Sequence, residues 1–279
     1  MKIAVVGAGT MGSGIAYSSA LAGYDVAVLE QNRTLLEQGM RRIEDYVEKG
    51  LARGILDESK AQGARLRVKG TIDFAEACRD AQIVVEAVFE DRRVKEEVFA
   101  TIDKLSPKET ILASNTSSIS IGKLAAVTNR PERVLGLHFF NPVPTMKLVE
   151  LIRGEHTTEE TVSKASRFVQ SLGKTVVQSA DRTGFIVNRA LMPFINECAK
   201  LLDEEVASRN DIDKAFLLGA NHPMGPLQLA DFIGLDVVLS VLRVLEGEYG
   251  ACFRPAKSIE TMVSQGRLGR KSEKGFYDY

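Results

Sequence analysis

Across its first half the chain alternates short β-type runs with helical stretches, and this alternation restricts the fold more than any other feature. It predicts a parallel sheet covered by helices. The strand candidates are Ile3–Val6, Val26–Leu29, Leu66–Val68, Ile83–Ala87, Thr110–Ala113 and Val134–Phe139, with Met146–Ile152 and Thr175–Val177 as two more. Most are apolar at consecutive positions, as a strand must be when both faces of its sheet are buried. Between the last two, Thr157 stands three residues before Glu160, a capping-box signal for a helix.

One crossover is long. The stretch from Leu29 to Leu66 far exceeds the dozen or so residues that a minimal parallel crossover needs. Leu35 to Lys49 has helical composition and Gly50 to Gly54 reads as a break, which predicts a helical hairpin, at about residues 35–64, projecting from the sheet. The stretch is locally basic through Arg41, Arg42, Lys49, Arg53, Lys60, Arg65, Arg67 and Lys69. After Thr183 and Gly184 the strand-like runs stop. Helices are expected from Phe185 to Leu202 and from Asp211, a plausible N-cap, onward. A domain boundary is therefore placed near residue 183.

Composition excludes the extreme classes. A chain of 279 residues, 44% apolar and 26% charged, can bury a sizeable core without disulfides or a structural metal. Its 36 Lys and Arg nearly cancel its 37 Asp and Glu, so nothing pulls the whole molecule toward nucleic acid or an anionic membrane. No apolar run approaches the ~20 residues of a membrane helix. Met1 to Val6 lead straight into a Gly-rich turn, so no signal peptide is expected. Cys78, Cys198 and Cys252 are odd in number and scattered, which fits neither a disulfide framework nor a metal site. The expectation is a cytoplasmic protein without a metal.

The first strand runs into Gly7-Ala8-Gly9-Thr10-Met11-Gly12, a Gly-x-Gly-x-x-Gly motif, and a small-residue helix follows from about Met11. Gly7 would make the tight turn, Gly9 would let the backbone approach a pyrophosphate, and Gly12 would allow close helix–strand contact. The N-terminal amides of the helix, from Thr10 and Met11 onward, would then face the pyrophosphate. Glu30, at the end of the second strand, would accept the ribose hydroxyls and repel a 2′-phosphate, favouring NAD, although Arg33 lies near enough to accommodate that phosphate. The bland alternative is a Gly-rich turn with no ligand. With the strand pattern, these features predict an α/β fold: a Rossmann-like, mostly parallel sheet domain over 1–183, then an all-α C-terminal domain over 184–279.

Of three histidines, His156 precedes a helix cap and His222 lies in a Pro/Gly turn, and both read as structural or solvent-exposed. His138 falls at the carboxyl end of a strand, where ligands of open α/β sheets gather. In the run Met146 to Ile152, alternation puts Glu150 on the face of Leu148 and Ile152, where a carboxylate is costly unless paired or protonated. His138 is its natural partner, and a histidine oriented by a carboxylate makes a good general base. Lys147 or Arg153 are the alternative partners. Ser114-Asn115-Thr116-Ser117-Ser118 adds hydroxyls at another strand end, which could bind nicotinamide, a substrate oxygen or loop backbone. Asn188 is a polar residue on an otherwise apolar helical stretch just past the boundary.

Taken in order, Ser114–Ser118, His138-Phe139-Phe140-Asn141-Pro142, Lys147-Leu148-Val149-Glu150, Gly184-Phe185-Ile186-Val187-Asn188-Arg189, Asn221-His222-Pro223-Met224-Gly225-Pro226-Leu227 and Gly234-Leu235-Asp236 make the chain recognisable. It resembles the 3-hydroxyacyl-CoA dehydrogenase family, and is most similar to its short bacterial 3-hydroxybutyryl-CoA dehydrogenases. The resemblance implies a His–Glu pair at His138 and Glu150, with catalytic or orienting roles for Ser117, Asn141 and Asn188. It puts Glu90 and Lys95 on the nicotinamide side, with Asn115, Ser117 and Asn141 also near the cofactor. It sets the basic hairpin beside CoA, where Lys49 and Arg53 are the candidate contacts against a plain solvated surface. It also implies a homodimer through the C-terminal domain. The implied reaction is reversible oxidation of an (S)-3-hydroxyacyl-CoA by NAD, with His138 taking the hydroxyl proton. A 3-hydroxyadipyl-CoA or longer-chain substrate, a CoA-free hydroxy acid, and an NAD(H)-binding sensor without turnover are the alternatives. One departure stands out: the family usually has Gly-Lys-Gly-Phe-Tyr where this chain has Glu273-Lys274-Gly275-Phe276-Tyr277. If that position takes positive φ, glutamate costs about 1 kcal/mol there.

Overall fold

A computed structural model describes residues 1–279. They divide into two compact units, Met1–Arg182 and Thr183–Tyr279. The first runs β1 (Lys2–Val6), α1 (Thr10–Leu21), β2 (Asp25–Leu29), α2 (Arg33–Ala52), α3 (Glu58–Arg67), β3 (Val68–Thr71), α4 (Phe74–Cys78), β4 (Ala81–Glu86) and α5 (Arg92–Leu105). It continues with β5 (Ile111–Ser114), α6 (Ile121–Ala125), β6 (Val134–Phe139), β7 (Leu148–Arg153), α7 (Glu159–Ser171) and β8 (Thr175–Ala180). The eight strands form one sheet in the order β3-β2-β1-β4-β5-β6-β7-β8. Every pairing is parallel except β6 with β7. The short Phe140–Lys147 connection explains the exception, since a parallel return needs a crossover of a dozen or more residues.

The sheet is buried where the sequence is continuously apolar. Ile3, Val5, Val28, Val85 and Ala113 lie in the core, joined by Ile15 and Ala16 of α1. Helix α1 can lie this close because most of its buried positions are Gly, Ala or Ser; a Cβ on Gly12 would stand 1.8 Å from the Gly7 carbonyl oxygen. Strand order reverses between β2 and β4 on either side of β1, which opens a crevice at the carboxyl ends of β1 and β4.

Four expectations shift. Leu66 belongs to α3 and is exposed, and the strand starts only at Val68, because the helical run from Glu58 carries through Arg67. The long crossover is indeed two helices, but rather than projecting it lies on α1: Ile43, Val47, Ala61 and Ala64 join the core, and Gly39 packs on Ala8. The cap of α7 is Thr158, whose hydroxyl accepts from Thr161 N–H; Thr157 is committed elsewhere, accepting from Gly154 N–H and donating to the Val134 carbonyl. Ser208, not Asp211, caps the helix after it, with the Ser208 hydroxyl donating to Asp211 and accepting its N–H.

The second unit is helical: α8 (Val187–Asp203), α9 (Arg209–Gly219), α10 (Pro226–Ile233), α11 (Leu235–Tyr249) and α12 (Lys257–Ser264). Its core gathers Ile195, Ala199, Leu227, Val238, Leu242 and Ile259. Two buried aspartates stitch it together. Asp213 accepts the Leu227 and Gln228 amides at the start of α10, and Asp231 accepts those of Phe276 and Tyr277 in the terminal segment. Glu273 sits at φ 57°, in the left-handed region, so the strain of about 1 kcal/mol expected for a non-glycine residue applies. His222 packs on the rings of Phe194 and Phe216, and His156 is exposed.

Candidate active site

At the end of β1 the chain needs a left-handed residue, and Gly7 supplies it at φ 97°, with no room for a Cβ against the Ala87 carbonyl at 2.6 Å. Gly9 is different: a Cβ there would meet nothing within 4 Å, so the backbone is bare on its outer side. The first intrahelical bond of α1 runs from Ser13 N–H to the Gly9 carbonyl, which leaves the amides of Thr10, Met11 and Gly12 for a ligand. Glu30 stands beside this turn, its Oε1 accepting Ala8 N–H at 2.8 Å and its Oε2 accepting Gln31 N–H at 3.0 Å. A cleft of about 710 Å³ opens here, lined by Gly7, Gly9, Glu30, Phe74, Val88 and Val94 among others.

The hydroxyl cluster after β5 is largely spoken for. Ser114 donates to Glu86 at 2.6 Å, while Thr116 and Ser118 donate to Glu90 at 2.6 and 3.0 Å. Asn115 turns its carbonyl oxygen to Phe139 N–H at 2.9 Å, pinning the end of β6. Only the Ser117 hydroxyl faces a ring nitrogen, 3.2 Å from His138 Nε2. On the other side of that ring, Nδ1 lies 2.7 Å from Glu150 Oε2. The antiparallel register of β6 and β7 sets His138 directly opposite Glu150, so the pairing is built into the strands. Both are buried, Glu150 completely. With Nδ1–H donating to the carboxylate, Nε2 is the ring's acceptor nitrogen, on the side of the Ser117 hydroxyl. Phe140 packs on the imidazole, ring centres 4.6 Å apart.

Lys95 is a buried cation, its ammonium 2.6 Å from Glu86 and 3.3 Å from Glu90. Burial pushes the Glu90 carboxyl up, but the nearby Lys95 charge and hydrogen bonds from Thr116, Ser117 and Ser118 outweigh it and hold the group below its usual range. Asn141 is exposed in the loop after β6. Lys49 and Arg53 are exposed at the end of α2. Asn188 is buried in the first turn of α8, within the second unit.

The family model described as 3-hydroxyacyl-CoA dehydrogenase, NAD binding domain, matches residues 2–182, and that of the 3-hydroxyacyl-CoA dehydrogenase C-terminal domain matches residues 184–279. The chain belongs to the 3-hydroxyacyl-CoA dehydrogenase family. A probable 3-hydroxybutyryl-CoA dehydrogenase of Bacillus subtilis is 46% identical over all of this chain and 97% of its own. The 3-hydroxybutyryl-CoA dehydrogenase of Bradyrhizobium diazoefficiens is 45% identical over all of this chain and 95% of its own. Among solved structures, (S)-3-hydroxybutyryl-CoA dehydrogenase from Ralstonia eutropha superposes with a TM-score of 0.94 at 42% identity, covering 100% of this chain and 98% of that one.

Membership makes this an NAD-dependent oxidoreductase, and the first unit is the family's NAD-binding domain. Its residues fit the dinucleotide: a bare Gly9 backbone, open amides at the start of α1, and a Glu30 carboxylate at the rim of an apolar cleft. No helix is long and apolar enough to cross a membrane. The residue that sequence reasoning passed over is Glu86, completely buried at the end of β4. Its signal was available, since a carboxylate ending a continuously apolar strand poses the same question as Glu150.

Proposed function

We propose that the chain catalyses the reversible oxidation of (S)-3-hydroxyacyl-CoA to 3-oxoacyl-CoA, with 3-hydroxybutyryl-CoA and acetoacetyl-CoA as its substrate pair. The observation that carries this is the Glu150–His138–Ser117 line, a buried carboxylate on one ring nitrogen and a hydroxyl on the other. His138 Nε2 takes the proton of the substrate's 3-hydroxyl. Glu150 keeps the ring in the tautomer with Nδ1–H and offsets the positive charge that appears on the imidazole. Ser117 donates to the 3-oxygen and holds it against Nε2. Gly7, Gly9, Thr10, Met11, Gly12 and Glu30 hold NAD, which when bound supplies the hydride acceptor. Asn141 near the cofactor and Asn188 as a substrate-orienting group rest on the resemblance alone, as do Lys49 and Arg53 toward CoA. We also place the enzyme in the cytoplasm as a homodimer through its second unit; its three free cysteines fit a reducing compartment.

The test follows NADH consumption with acetoacetyl-CoA, beside free acetoacetate and beside NADPH. Turnover of the CoA ester with NADH is expected, and His138→Ala or Glu150→Gln should lower kcat by roughly 10²–10⁴-fold. Unchanged turnover in either variant, or preference for free acetoacetate, would overturn the reading.

A further inference from the structure

We propose that Glu86 is a positioning residue for the reaction proposed above, acting through Lys95 and Glu90 to set Ser117 against His138. The inference rests on that reading of Ser117 and His138. Glu86 is completely buried and both of its oxygens are used. Oε1 accepts Lys95 Nζ at 2.6 Å and Val88 N–H at 2.7 Å, and Oε2 accepts the Ser114 hydroxyl at 2.6 Å. Lys95, itself 1% exposed, spans from Glu86 to Glu90 Oε2 at 3.3 Å. Glu90 then gathers four donors on a single oxygen: Thr116 Oγ1, the Ser117 and Ser118 amides, and Ser118 Oγ, all between 2.6 and 3.1 Å.

The loop that carries Ser117 therefore hangs from Glu90 by its backbone. A second tie, from Thr116 N–H to Ser114 Oγ at 3.2 Å, leads back to Glu86 by another route. Both routes end on one carboxylate, and Asn115 N–H bonds the Glu86 carbonyl at 2.8 Å as well. The two carboxylates differ in what they do to Lys95. Glu86 is locked on three donors and fixes where the ammonium stands, while Glu90 is partly open and follows it. Removing the Glu86 charge leaves the ammonium with the Glu90 carboxylate and the Val88 carbonyl, each 3.3 Å away, and the pull toward Glu90 shifts the loop and the Ser117 hydroxyl with it. Displacements on this scale cost rate rather than binding.

The test is a double-mutant cycle of Glu86→Gln with Ser117→Ala, joined to amide hydrogen exchange of the 115–119 segment in substrate-free protein. Glu86→Gln should lower kcat by roughly ten- to a hundredfold while KM for acetoacetyl-CoA moves far less. In the Ser117→Ala background the same substitution should add almost nothing, as expected when one residue acts through the other. Exchange of the Ser117 and Ser118 amides should speed up in Glu86→Gln. Equal losses in both backgrounds, or unchanged exchange, would overturn the proposal. If Glu86→Gln does not fold, Glu90→Gln, at the open end of the chain, should show the same pattern of non-additive kcat loss and faster exchange. Exchange needs no turnover, so it judges the positioning of the loop even where wild-type protein ignores acyl-CoA, the result that counts against the proposed function.

Discussion

The Glu30 carboxylate accepts Ala8 N–H through one oxygen and Gln31 N–H through the other, so it shapes the glycine turn as well as facing the cleft. Each oxygen keeps a lone pair for a ribose hydroxyl, whereas a 2′-phosphate would meet a negative charge. Glu30→Gln separates the two tasks, because the amide oxygen can still accept from Ala8 while the charge is gone. The expected outcome is weaker NADH binding and a ratio of NADPH to NADH efficiency raised by about tenfold or more, since hydrogen bonds to charged groups are worth roughly 1.5–3 kcal/mol. Steady-state rates with both cofactors decide it, and an unchanged ratio would remove Glu30 from cofactor selection. At this scale the sequence was informative wherever a charge interrupted an apolar period. Glu150 was legible because alternation put it among aliphatic neighbours. The destination of the Ser114–Ser118 hydroxyls was not, because it depends on Glu86 at the end of β4 and Glu90 in the loop after it, 28 residues before Ser114 and 26 before Thr116.

The helical hairpin shows how composition misleads until partners are counted. Of its basic residues, Arg65 is held by Glu44 and Glu48, Arg41 lies 3.8 Å from Glu37, Lys60 lies 3.9 Å from Asp57 and Arg67 lies 3.6 Å from Asp25. Arg42 donates to the Ala8 carbonyl at 3.2 Å. Lys49, Arg53 and Lys69 have no carboxylate within 4.0 Å, and the first two share the end of α2, where cations also suit the helix dipole. Reversing both, Lys49→Glu with Arg53→Glu, should raise KM for acetoacetyl-CoA about tenfold at low salt, with the difference shrinking as ionic strength rises. NADH affinity should hold. An unaltered KM would make the pair a solvated helix end and nothing more. The same hairpin explains why element boundaries were less legible than element types. Residues 58–67 keep a helical pattern up to the strand, and only pairing of Val68 with Val26 ends it. Helix caps likewise moved by one or three residues, because Thr157 and Asp211 satisfy other bonds in the folded chain.

For the molecule as a whole, the glycine turn, Glu30 and every residue lining the adjoining cleft belong to Met1–Arg182. That unit carries its own core, from Ile3 through Val169, and all eight strands. The antiparallel pairing of β6 with β7, which the short Phe140–Lys147 connection requires, is what faces His138 with Glu150 inside the same unit. The lining of the nucleotide cleft and the register that sets His138 against Glu150 both lie within this unit. A chain ending at Arg182 should fold as a sheet and bind NADH within about tenfold of the full-length affinity, a loss of no more than ~1.4 kcal/mol. It should not turn over acetoacetyl-CoA if Asn188, absent from it, orients the substrate. NADH fluorescence titration and circular dichroism of the truncated chain would read both points. A folded sheet that fails to bind NADH would mean that the second unit completes the nucleotide site, and full turnover would remove Asn188 from the reaction.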